Sequence, residues 1–366
     1  MPDIPLLIPD LPSAQELLPW LERIDRARWY TNFGPLVREL ETTIARHWPA
    51  PPQVVTLNSG TASLELGIAA LDLAAGGKVL TPAFSFPATA AAAMRNGLEP
   101  LFADVDPHSW QLTPELARAA ARRHRLALVM PVATFGSPVC ADAWDGFADD
   151  TGIPVLIDAA AAFGNQAIGE RAAVAFSFHA TKPFGVGEGG ALVTRDAALA
   201  ERVRRLSNFG FARALAQEAG GNAKLSEYAA AVGLAQWPRW LAGRAPRASL
   251  WASCRAALDA LPGVASQQGY APGQAPATLS VRLPVPAQGV LEQLAAAGIE
   301  TRRWYCPALH RHPAFARFAP AAGALPVTAQ LASHTLGLPW FPGITHAQCA
   351  AVYAALAGVL APAEVP

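Results

Sequence analysis

Ala173-Val174-Ala175-Phe176-Ser177-Phe178-His179-Ala180-Thr181-Lys182 runs an apolar stretch into a single lysine, and Gly187-Glu188-Gly189-Gly190 follows closely. A short apolar run with glycines beyond it reads as a buried strand over Ala173 to Phe178. Open α/β sheets bind ligands outside the carboxyl ends of their strands, which is where this lysine falls. An amine there is desolvated enough to attack a carbonyl carbon, and the glycines let backbone approach a cofactor closely. Lysines are more often solvated loop residues, so the reading depends on what else the chain places at strand ends.

Asp158 is the second such residue. It closes the apolar run Pro154-Val155-Leu156-Ile157 and precedes Lys182 by 24 residues. A lysine and an acid ending two strands is the arrangement that pyridoxal phosphate (PLP) enzymes need, the lysine holding the aldehyde as a Schiff base and the aspartate the pyridinium proton. The carboxylate raises the ring nitrogen's pKa, so the ring stays cationic and accepts electrons. The competing reading makes Asp158 a plain helix N-cap, with Ala159 to Ala162 as the first turn. A third element is Val54-Val55-Thr56-Leu57-Asn58-Ser59-Gly60-Thr61-Ala62-Ser63, a strand, a small-residue turn and a helix whose Leu64, Ile68 and Leu71 share one face. The helix's first amides are unpaired and form an anion site, and the small residues admit a phosphate.

These segments resemble the DegT/DnrJ/EryC1/StrS family of PLP-dependent nucleotide-sugar aminotransferases. The matches run in order along nearly the whole chain: Asn58-Ser59-Gly60-Thr61, Thr81-Pro82-Ala83-Phe84-Ser85-Phe86-Pro87-Ala88-Thr89, Asp158-Ala159-Ala160, the block ending at Lys182, and Gly221-Asn222-Ala223-Lys224-Leu225-Ser226-Glu227. The resemblance implies the fold type I of PLP-dependent transferases, an α/β fold with a mostly parallel sheet flanked by helices and a smaller α+β lobe. It implies Lys182 as the Schiff-base residue and acid–base catalyst, Asp158 at the pyridine nitrogen, and Gly60, Thr61 and Ser177 at the phosphate. Phe86 matches the aromatic that stacks on the ring, while Phe84 is read as core. Asn222 matches an asparagine that reaches the phosphate from the neighbouring subunit, so a homodimer with its active site at the interface is expected.

The same resemblance implies L-glutamate as donor and a nucleotide-linked keto-6-deoxysugar as acceptor, in ping-pong order. One position departs from it. Many members carry a glutamine three residues after the aspartate, bonded to the cofactor's 3′-oxygen; here Ala161 stands in its place and cannot make that bond. A dehydratase branch on this scaffold resembles a version with histidine at the lysine position, which Lys182 opposes. A fold relative acting on amino acids would need an arginine clamp for the substrate carboxylate, for which Arg303 is the candidate. A catalytically silent regulator is the non-enzyme alternative, opposed by the Lys182 and Asp158 pair.

Composition agrees with a globular enzyme of two lobes, expected over residues 1–240 and 241–366, because 366 residues exceed the usual single-domain size of about 100–150. The 28 basic and 28 acidic residues cancel, which argues against chain-wide affinity for nucleic acid or anionic membrane. The amino terminus does not read as a signal peptide and no apolar run reaches the roughly 18 residues of a membrane span, so a cytoplasmic enzyme is expected. Cys140, Cys254, Cys306 and Cys349 are isolated, and no metal site is read from them or from the histidines. Alternating strand and helix signals fill the first two-thirds, among them a Thr113-Pro114-Glu115 helix start. From about Leu225 the pattern turns helical, with Trp237, Trp240 and Trp251 as bulky apolar surface, and a final helix is predicted over His346 to Leu360. Substrate contacts are expected from Asn32, Phe33, Tyr305 and His310.

Overall fold

The computed structural model describes residues 2–361. Its main sheet is built from β1 (Gln53–Leu57), β2 (Lys78–Pro82), β3 (Glu99–Ala103), β4 (Leu126–Val129), β5 (Leu156–Asp158), β6 (Ala173–Ser177) and β7 (Gly190–Thr194). β3, β2 and β4 pair in parallel, as do β5 and β6. Parallel bridges Val129–Val155 and Val132–Asp158 join the two groups, giving the order β3-β2-β4-β5-β6-β7-β1. β7 runs antiparallel to both neighbours. The reason is local: the segment between β6 and β7 contains no helix, and parallel neighbours need a crossover connection that this segment lacks.

Strand alternation loads both faces of the sheet. Val54, Ile157, Val174 and Phe176 enter one apolar core with Leu36, Val37 and Leu40, while Val55, Leu156, Ala175 and Leu192 enter another with Leu64, Ile68 and Val203. The covering helices are α1 (Ala14–Ala27), α2 (Pro35–Ala45), α3 (Gly60–Ala70), α4 (Pro87–Arg95), α5 (Pro114–Ala121), α6 (Ala141–Thr151) and α7 (Ala197–Leu206). Thr113 caps α5 by accepting from the Leu116 amide at 3.4 Å, as the Thr-Pro-Glu signal predicts. A small hairpin follows, β8 (Phe211–Ala212) with β9 (Leu215–Ala216).

The helical pattern after Leu225 becomes one element, α8 (Glu227–Asp259), which continues through Pro238 and Pro246. Its first residue anchors a second helix: the Glu227 carboxylate accepts from the Leu36 and Val37 amides at 2.8 and 2.9 Å, serving donors that α2 cannot satisfy internally. Gly34 has to lack a side chain there, because a Cβ would stand 2.6 Å from the Glu227 carboxyl carbon. Past α8, β10 (Ala265–Ser266), β11 (Ser280–Arg282) and β12 (Thr335–Gly337) form an antiparallel sheet. α9 (Ala287–Ala296), α10 (Pro326–His334) and α11 (His346–Leu360) accompany it, α11 with the predicted bounds. Trp251, Leu258, Val281, Leu294, Leu336, Trp340 and Leu356 share a separate core in this region. No helix among the described residues is long and apolar enough to cross a membrane.

Candidate active site

The end of the site at the start of α3 depends on two glycines. Ser59 caps α3, its hydroxyl accepting from the Ala62 amide at 3.0 Å. The amides of Gly60 and Thr61 have no hydrogen-bond partner among the described residues, so two donors and the helix's positive end face outward. A Cβ on Gly60 would meet the Ser177 Cβ at 2.7 Å, and one on Gly190 would meet the Ser59 carbonyl oxygen at 2.5 Å. Absent side chains thus let the α3 start, the end of β6 and the start of β7 close on one another. Ser177 and Thr61 add hydroxyls to the cavity beside those amides.

Asp158 ends β5 and is only 5% exposed. Burial pushes its carboxyl pKa up, while the Thr89 hydroxyl, the Ala160 amide and the Lys182 charge pull it down. Thr89 donates to Oδ2 at 2.7 Å and the Ala160 amide to Oδ1 at 3.1 Å; Ser85 and Thr89 hydroxyls bond at 2.9 Å. No helix starts after Asp158; a turn does, and the N-cap alternative falls. Lys182 is half-buried, and burial lowers its pKa against the pull of Asp158. Its Nζ has no hydrogen bond among the described residues, and the two charges lie beyond the 4.0 Å of an ion pair.

Both side chains line one cavity of about 340 Å³, together with Gly60, Thr61, Phe86 and Ser177. Phe86 is 59% exposed and offers a free face, whereas Phe84 is fully buried against Phe135 and Tyr305, as expected of a core residue. Asn222 is exposed and does not line the cavity of its own chain; its carbonyl takes the Asn58 side-chain amide at 3.5 Å. Ala161 lines the cavity without a polar atom on its side chain.

Of the expected substrate contacts, Tyr305 reaches the cavity, its ring stacked 4.9 Å from Phe135. Burial and the nearby Asp158 push its phenol pKa up. Asn32, Phe33 and His310 do not line the cavity; Phe33 lies under the Arg204 guanidinium and His310 beside Phe102. Arg303 is no carboxylate clamp here, because it does not line the cavity; its guanidinium donates to Gln288 Oε1 at 3.0 Å and to the Ala332 carbonyl at 3.1 Å. The residue that sequence reading missed is Thr89. The quoted block ending in Thr89 contained it, but only the fold turns α4 so that its hydroxyl meets a strand end 69 positions away.

The chain belongs to the DegT/DnrJ/EryC1/StrS aminotransferase family. The family's sequence profile matches residues 13–357. Among similar proteins, Rv3402c of Mycobacterium tuberculosis is 36% identical over 361 residues, covering 93% of this chain and 86% of its own. The dTDP-3-amino-3,4,6-trideoxy-alpha-D-glucose transaminase of Streptomyces venezuelae is 33% identical over 328 residues, covering 86% and 84%. The crystal structure of DesI in the presence of its TDP-sugar product superposes with a TM-score of 0.85 at 34% identity, covering 97% of this chain and 93% of DesI. The protein is therefore an aminotransferase, and its cofactor is pyridoxal 5′-phosphate. The site fits that group: a free amine, a buried acid beyond pairing distance and two unpaired amides converge on one cavity.

Thr89 supplies a test of how the acid is held. Thr89→Val keeps the shape but leaves Asp158 Oδ2 without its buried donor, a loss of about 1–3 kcal/mol. The urea midpoint of the variant is expected to fall accordingly; an unchanged midpoint would mean that the hydroxyl does not support the carboxylate.

Proposed function

We propose that this aminotransferase moves an amino group from L-glutamate to a nucleotide-linked keto-6-deoxysugar, a dTDP- or GDP-4-keto-6-deoxyhexose, in ping-pong order. The observation that carries the reading is the unpaired Lys182 amine sharing a cavity with buried Asp158. The sugar class rests on the transaminase relative that acts on a dTDP-sugar and on DesI with its TDP-sugar product. The product would serve cell-surface polysaccharide or glycoside synthesis in the cytoplasm. Lys182 in place of a histidine favours amino transfer over dehydration.

When bound, pyridoxal 5′-phosphate supplies an aldehyde that links to amines and a ring that takes up electrons from a breaking C–H bond. The Lys182 amine is the nucleophile that holds it and, once displaced by donor, the base that carries a proton to and from the substrate carbon. Burial helps by keeping more of this amine neutral. Asp158 holds a proton on the ring nitrogen, with Thr89 and the Ala160 amide fixing the carboxylate. Gly60, Thr61 and Ser177 hold the phosphate, and the open face of Phe86 stacks on the ring. We assign Asn222 to the partner subunit's phosphate, so that two chains complete each site. Exposed Phe209, Phe211, Leu215 and Tyr228 supply apolar surface of the kind a partner would cover. Residues 1–240 and 241–366 form the two lobes of this reading, supported by the separate core around Trp251 and Trp340.

The deciding experiment incubates the loaded enzyme and glutamate with a panel of keto-sugar nucleotides and locates the new C–N bond by NMR. Amination of a 4-keto-6-deoxyhexose is the expected result. Turnover of glutamate with amino-acid keto acids but with no sugar would reject the proposed acceptor.

A further inference from the structure

A second cavity, of about 580 Å³, shares Leu7, Thr181, Lys182 and Ala277 with the first. α8 turns Trp240, Arg244 and Arg247 into it at i, i+4 and i+7, one face of the helix. Each guanidinium is stacked on an indole: Arg244 over Trp240 and Arg247 over Trp340, both 5.1 Å from the ring centroid. Arg244 Nη2 donates to the Gly164 carbonyl at 2.7 Å, and Arg247 Nη2 to those of Pro276 and Ala277 at 3.1 and 3.2 Å. These bonds orient the two forks without neutralising them. No carboxylate pairs with Arg244 or Arg247 among the described residues. The one acid lining the cavity, Asp10, is held by Arg239.

This arrangement costs stability unless something offsets it. Like charges three residues apart on a helix repel, and both side chains are half-buried with no carboxylate beside them. Burial pushes the Arg247 pKa down to about 10, with the nearby Tyr270 pulling the other way. The cavity's volume lies in the range of small-molecule sites, and its walls pair aromatic faces with oriented polar groups. A guanidinium fork matches the planar geometry of a carboxylate.

We propose that this second cavity binds a small carboxylic acid, its carboxylate between Arg244 and Arg247 and its carbon skeleton against Trp240 and Trp340. The site does not depend on the sugar acceptor assigned above. Its ligand is either the amino donor and its keto acid or a separate acid that acts on the enzyme from beside Lys182.

The test titrates the cofactor-loaded enzyme with benzoate and with 2-oxoglutarate, read by tryptophan fluorescence and calorimetry, with neutral benzamide as control. Saturable binding of at least one acid is expected, weakened at least tenfold by Arg244→Gln and by Arg247→Gln. Because Arg247 also ties down Pro276 and Ala277, Gly243→Phe serves as a second variant. Gly243 lines the cavity and a Cβ there meets nothing within 4 Å, so a larger side chain can be placed there without a clash at its base and narrows the cavity while both arginines are retained. If the acid is the donor, Arg244→Gln raises the KM for L-glutamate about tenfold; if it is a separate molecule, that KM stays unchanged while acid binding is lost. Absence of saturable binding by both acids, or unchanged affinity in all three variants, would overturn the proposal. So would equal binding of benzamide.

Discussion

Lys182→Ala is expected to lower transamination by at least about 10³-fold, within the 10²–10⁴ that a positioned acid–base group contributes and before the loss of the covalent anchor is counted. Two observations support so large an effect. The Lys182 amine, in the turn that follows β6, has no hydrogen-bond or ion-pair partner among the described residues, and no other lysine lines the cavity. Borohydride treatment should no longer fix the cofactor to the chain, which intact-mass measurement reads directly. The phosphate end proposed for α3 and Ser177 does not involve Lys182, so the variant should still bind the cofactor reversibly. Lys182→Arg separates charge from nucleophilicity: it keeps a cation but offers no neutral amine, and it should be as inactive as the alanine variant. Mixing Lys182→Ala with Asn222→Ala chains extends the test to assembly. Hybrid dimers would regain one intact site if Asn222 serves the partner, and mixtures that stay inactive would refute the shared site.

Legibility in the sequence followed the range of the interactions. Asp158 ends a strand, Gly60 and Thr61 begin a helix and Lys182 follows β6 within five residues, so pattern places them at one edge of a sheet before any tertiary contact is known. The mostly parallel order followed from alternating elements; the reversal of β7 did not, because it depends on a helix-free return from β6. Thr89 and Tyr305 were opaque in their roles for a different reason. Thr89 meets Asp158 across 69 positions without lining the cavity itself, and Tyr305 is set at the cavity by stacking on Phe135. Arg303 misled because a guanidinium's partners cannot be read from its neighbours in sequence, and here they are Gln288 and a backbone carbonyl. Trp240 of α8 read as plain apolar surface, yet it and Trp340 beyond β12 carry guanidiniums whose charge no carboxylate pairs among the described residues.

Asp158→Asn isolates the charge of the acid from its shape. The two side chains have nearly the same volume, so α4 and β5 need not move. The hydroxyl chain can also reverse: an asparagine Nδ2 placed at Oδ2 would donate to Thr89, and Thr89 would donate on to Ser85, over the present 2.7 and 2.9 Å contacts. Stability should therefore change little, while kcat falls on the order of 10²–10³-fold because an amide does not hold a proton on the ring nitrogen. The pH dependence gives the sign. A carboxylate raises the ring nitrogen's pKa, so without it protonation requires more acid, and the ratio of variant to wild-type activity should rise as pH falls. A wild-type rate in the variant, or a ratio that falls toward acid, would show that the carboxylate is there to support the fold and not the ring.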